Sequence, residues 1–187
     1  VGSEMCIRDR NIDRGLLDTF FSRCIELNFV NNISLNAIRT EFVSQREGNI
    51  WFLVREKEII GMAGCHRFDE VDPKSFRIQY RGCEIPGRDV KPGLSKSHFN
   101  SSTFRELIPY ELKWIEEKGY DKDNVYLSAN LDNKNHRAMT LIEKQGYLTK
   151  HQEGLLFGVQ QTIWKFNTQH YEEVRKKVTS YVERNER

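Results

Sequence analysis

The stretch from residue 125 to residue 147 constrains the fold more than any other part of the chain. Residues 125–131 (VYLSANL) have the β-branched and aromatic content of a short strand. Residues 135–147 (NHRAMTLIEKQGY) then space Ala138, Met139, Leu141 and Ile142 to form one face of a helix. Between them, Asp132 or Asn133 offers a short side-chain oxygen that can accept from a first-turn N–H and cap that helix. Gly146 falls where a left-handed helix C-cap is expected, and Tyr147 re-enters an apolar element. The predicted order is strand, polar turn, helix, glycine, aromatic.

The rest of the chain has to fit around that unit. With 187 residues it is long enough for one domain with a real core. Hydrophobic residues make up 38% and charged residues 30%, as in an ordinary globular protein with a polar surface. The net charge of +2 gives no sign of nucleic-acid binding, which needs clustered basic residues in excess. Cys6, Cys24, Cys65 and Cys83 form no CxxC pair and no zinc-type spacing with the five histidines. Idle or buried thiols in a reducing compartment are expected, and no metal. No run approaches the roughly 18 apolar residues of a membrane span, and the N-terminus lacks the apolar core of a signal peptide. A cytoplasmic protein without a membrane partner is therefore the expectation. Residues 1–10 (VGSEMCIRDR) read as a truncated or non-native segment and stand apart from the fold argument.

In chain order, Leu16, Leu17, Phe20, Phe21, Cys24, Ile25 and Leu27 predict an amphipathic helix over 14–28. Ser34 can cap a second helix, carried by Leu35, Ile38, Phe42 and Val43 and ending near Gly48. Strands are predicted over 50–55 (IWFLVR), 59–68 (IIGMAGCHRF) and 75–84, the last alternating Phe76, Ile78 and Tyr80 with polar residues. Residues 85–100 have no clear period, although 94–99 can form a further strand; a loop this long is uncommon unless functional. Ser101, Ser102 and Thr103 can cap a helix whose apolar face is Phe104, Leu107, Ile108, Leu112, Trp114 and Ile115 and which stops at Gly119. Pro109 should bend it. After the 125–147 unit come strands over 147–150 and 160–166, around a turn region at 154–158. A last helix is carried by Tyr171, Val174, Val178 and Tyr181 or Val182.

The 135–147 run resembles the signature that closes the cofactor half of GNAT-superfamily N-acetyltransferases: Asn, two residues, Ala, three residues, Tyr, three residues, Gly, then Phe or Tyr. Asn135, Ala138, Gly146 and Tyr147 fall in register, as do Leu141, Glu143 and Lys144, whereas Ile142 stands where the family has its tyrosine. The element order over 14–166 also matches, apart from the first strand, which is missing or replaced. The resemblance implies an α+β fold in three layers, a mixed and mostly antiparallel sheet with helices on both faces. The acyltransferase domain would span 11–167, with 168–187 a helical extension.

It also implies acetyl transfer from acetyl-CoA to a primary amine on a small molecule or peptide, the cofactor lying between two splayed strands. The pyrophosphate would rest on free N–H groups at a helix start. Here that helix opens with Ser101, Ser102, Thr103 and Arg105 and no glycine, so these residues either hold phosphate or only cap the helix. Asn135 would contact the pantetheine arm or the facing strand; alternatively it caps its own helix. The base that takes the amine proton would be Glu84 first and His98 second; each is otherwise a surface or packing residue. Cys65 and His66 read as core-edge residues. A catalytically inactive CoA-binding or interaction module on the same fold is the rival, suggested by Ile142 and the glycine-free loop.

Overall fold

The computed structural model describes residues 4–8, 13–26, 46–55, 57–79, 102–131, 134–156 and 158–185, which fall into two compact units, Val1–Tyr120 and Asp121–Arg187. The helix expected over 34–48 lies mostly outside the described residues, and the strand expected over 94–99 wholly so.

In the first unit the elements are β1 (Glu4–Arg8), α1 (Arg14–Glu26), β2 (Asn49–Arg55), β3 (Glu58–Arg67), β4 (Phe76–Gln79) and α2 (Ser102–Glu117). The four strands pair antiparallel in the order β1-β2-β3-β4. A strand thus occupies the N-terminal stretch set apart above: Cys6 pairs with Leu53 and Ile7 with Phe52.

Five consecutive β2 residues, Ile50 to Val54, are buried. Successive strand side chains point to opposite faces, so both faces of β2 are covered. The ring contacts identify the covers. Phe20 and Phe21 of α1 meet Phe52 edge-on at 6.2 and 6.5 Å, while Trp114 of α2 meets Trp51 at 6.0 Å. This unit is therefore a sheet between two helices. Asp13 caps α1, its Oδ1 accepting from the Leu16 N–H at 3.2 Å. α2 runs through Pro109, its eighth residue, which leaves the Arg105 carbonyl without its usual i+4 donor.

The second unit contains β5 (Val125–Asn130), α3 (Lys134–Lys144), β6 (Leu148–Leu156), β7 (Val159–Phe166) and α4 (Thr168–Asn185). Its strands pair antiparallel in the order β5-β7-β6. β6 is longer than the sequence suggested. Its middle, Thr149 to Glu153, is polar and exposed, because β6 pairs only with β7 within this unit and needs no apolar side to do so. α4 is tied back to the start of the unit. Thr168 Oγ1 donates to the Lys122 carbonyl at 2.8 Å, Lys122 pairs with Glu172 at 2.9 Å, and Tyr171 packs on Phe166.

The α2 face toward the sheet carries one residue that the apolar pattern does not account for. Glu111 is fully buried, and neither carboxylate oxygen has a hydrogen-bond partner among the described residues. Burial pushes its pKa well above the ordinary carboxyl range; the Cys65 thiol on β3 is likewise raised, first by its own burial and then by the nearby Glu111 charge.

An unfolded glutamate ionises near pH 4.3. Above that pH the unfolded chain releases a proton that folded Glu111 retains, so stability falls as pH rises toward the raised folded value. Glu111→Met is expected to stabilise the protein by about 1–3 kcal/mol at pH 8 and by less at pH 5, read from urea unfolding at both pH values. A variant less stable than the parent at pH 8 would show that the carboxyl has a compensating partner.

Candidate functional site

Three places bear on the candidate site, each within its own unit: the start of α2 in the first, and the start and end of α3 in the second. α2 begins at Ser102, so Ser102, Thr103 and Arg105 all lie in its first turn, where backbone N–H groups have no intrahelical acceptor. No acidic residue occurs in that turn, and none occurs in the first turn of α3. Either start can therefore face an anion without an opposing carboxylate. Asn135 is the second residue of α3.

Two polar side chains tie α3 to β7. His136 Nε2 lies 2.9 Å from Oγ1 of Thr162, a fully buried residue of β7. Seven residues further on, Glu143 accepts from Trp164 Nε1 at 2.6 Å. The His136 ring also lies against the Trp164 ring, with centroids 5.2 Å apart. Positions i and i+7 share a helix face, so one face of α3 meets Thr162 and Trp164, which share a face of β7. This corrects the apolar face read from the sequence. Ile142 is buried in it, but Leu141 is 56% exposed. Neither His136 nor Glu143 stands out in a hydrophobicity pattern; the available signal was their spacing.

α3 ends as expected at Gly146, whose φ of 89° is left-handed. Its N–H donates to the Glu143 carbonyl at 3.0 Å, and its own carbonyl accepts from Asn167 Nδ2 at 2.7 Å. Tyr147 stacks edge-on against His170 at 4.9 Å. Beside it, an open cleft of about 560 Å³ gathers Asp123, Lys165, Thr168, His170 and Glu173 at the start of α4. Its two carboxylates make it a poor phosphate site.

Several solved structures resemble this chain. An acetyltransferase of the GNAT family from Staphylococcus aureus Mu50 is 13% identical, with a TM-score of 0.51 over 87% of this chain and 99% of that one. A spermidine N-acetyltransferase chimera of Vibrio cholerae SpeG and hSSAT is 15% identical, with a TM-score of 0.52 over 91% and 98%. A structure from Desulfovibrio desulfuricans, assigned to the same family, is 9% identical with a TM-score of 0.58 over 88% and 98%. The chain has the GNAT fold. No protein-family model matches the sequence, and no curated protein does.

On this GNAT fold, Ser102, Thr103 and Arg105 share the first turn of α2 in the first unit, and Asn135 lies in the first turn of α3 in the second. Glu84, His98 and Ser101 lie outside the described residues. Cys65 and His66 are core residues, 0% and 1% exposed. At the position of the family tyrosine, Ile142 is 3% exposed and packs as part of the core. No group of three or more His, Cys, Asp or Glu side chains among the described residues is arranged to hold a metal, and no helix there is long and apolar enough to cross a membrane.

Gly146→Ala must force a Cβ into left-handed backbone, 3.1 Å from His170 Nε2. It is expected to cost about 1–2 kcal/mol, measured by chemical unfolding. A cost below 0.5 kcal/mol, on the order of an ordinary surface change, would mean that the helix end relaxes freely.

Proposed function

We propose that the protein transfers an acetyl group from acetyl-CoA to a primary amine by direct attack, with both substrates bound at once. One coincidence carries this reading. The Asn135, Ala138 and Gly146 pattern falls, on a chain with the GNAT fold, along a helix that ends at a left-handed glycine. Acetyl-CoA supplies the activated acetyl group when bound. The chain's own work is orientation and removal of a proton from the amine.

In this reading the first turn of α2, with Ser101, Ser102 and Thr103, offers free N–H groups and hydroxyls to the pyrophosphate, and Arg105 adds charge. Asn135 contacts the pantetheine arm. Glu84, or secondly His98, takes the proton. The acceptor is a small-molecule or peptide amine. The likeness to a spermidine N-acetyltransferase makes polyamines the first compounds to try.

One observation favours a second reading, a CoA-binding module without catalysis. Ile142 is packed in the core and has no proton to give a departing thiolate. A thiol of pKa near 8.5 leaves tolerably without help, so this substitution is compatible with a slower enzyme as well. Calorimetric titration with acetyl-CoA, followed by turnover on an amine panel, separates the readings. Saturable binding with turnover supports the enzyme, binding without turnover supports the module, and absence of binding overturns both.

Arg105→Ala is expected to weaken CoA binding by about 1–3 kcal/mol while leaving a truncated pantetheine thioester unaffected. Equal losses for both ligands would show that Arg105 does not meet the phosphates. The pH–rate profile should rise through the pKa of the base and then stay flat to about pH 9.5, since the general acid, worth about 10²- to 10⁴-fold, is absent. A falling limb in that range without unfolding would reveal a protein acid.

A further inference from the structure

The turn of α3 that carries Asn135 is tied to its sheet by a chain of polar side chains for which the function proposed above has no use. The first four residues of α3, Lys134, Asn135, His136 and Arg137, are all polar, so this turn has no apolar side chain with which to grip the sheet. What holds it is the 2.9 Å contact from His136 Nε2 to Thr162 Oγ1. Thr162 is fully buried and is the cross-strand partner of Glu153 on β6. The Glu153 carboxyl is held below its ordinary pKa range first by Lys150, 2.8 Å away, and also by His136 and the Thr162 hydroxyl.

The hydrogen bond between His136 Nε2 and the Thr162 hydroxyl therefore sets where the first turn of α3 lies against β7. At the other end of α3, the bond from Trp164 to Glu143 holds the helix independently. The His136 chain thus acts on the Asn135 end alone.

We infer that His136 is a positioning residue for the cofactor: through its bond to Thr162 it fixes the first turn of α3, the turn that carries Asn135. This rests on the proposed CoA site. His136 itself need not touch the ligand. Its effect on affinity should pass through Asn135 and disappear when Asn135 is removed.

The test is calorimetric titration of the full chain with CoA, for the parent, His136→Ala, Thr162→Val, Asn135→Ala and the His136→Ala/Asn135→Ala double variant. His136→Ala and Thr162→Val are each expected to raise the Kd about 5- to 20-fold, whereas His136→Ala adds less than about 2-fold in the Asn135→Ala background. In the ligand-free protein, the amides of residues 138–140 should exchange faster in both single variants, with β7 amides unchanged. Thr162→Val keeps the shape of the side chain and serves if His136→Ala fails to fold. Full additivity of the two alanine substitutions, or an unchanged Kd in a parent that binds CoA, overturns the positioning role alone. A parent that binds no CoA overturns the proposed function and this inference together.

Discussion

A strand whose consecutive side chains are all buried needs a layer on each of its faces, and β2 is such a strand. Trp51 and Phe52 point in opposite directions, one into α2 through Trp114 and the other into α1 through Phe20 and Phe21. The layered arrangement of the first unit follows from that pair. The β3 residues opposite Trp51 and Phe52, Ala63 and Met62, are buried for the same reason. Gly61 and Gly64 of β3 are buried as well.

The second unit is stabilised in a different way. β7 is buried along most of its length, but what reaches it from α3 is largely polar: His136 on Thr162 and Glu143 on Trp164. Such contacts are directional, whereas apolar packing tolerates sliding and rotation. A helix fixed by hydrogen bonds at both ends keeps its register, which the cofactor contact proposed for its first turn would require. Glu111 in the first unit is the contrasting case. It is a polar group buried without a hydrogen-bond partner among the described residues, on a helix whose Leu107, Leu112, Trp114 and Ile115 are also buried.

Much of the fold was legible because its elements follow periods that backbone geometry imposes. The α1 and α2 faces, the buried β2 run, the alternation of Phe76 and Ile78 in β4 and the left-handed Gly146 are all local, and local sequence predicts them. The motif from Asn135 to Tyr147 carried the likeness that the solved structures then supported at the level of fold. β1 was not legible, since EMCIR is short and lies in a segment whose composition suggested something foreign. The full length of β6 was hidden for another reason: an exposed polar strand has no hydrophobic alternation to read.

The sequence by itself determined where most of the described helices and strands form, β1 and the length of β6 apart, and which helix carries the cofactor-like motif, because spacing, glycine position and propensity act over a few residues. Only the tertiary structure decided what each face of those elements meets. It turned Leu141 outward, brought His136 to Thr162 and Glu143 to Trp164 across more than twenty residues of chain, and buried Glu111 without a hydrogen-bond partner among the described residues. Those outcomes depend on strand register and on hydrogen-bond donors finding acceptors that are distant in sequence. No local period encodes such pairings, since they exist only once the chain has folded.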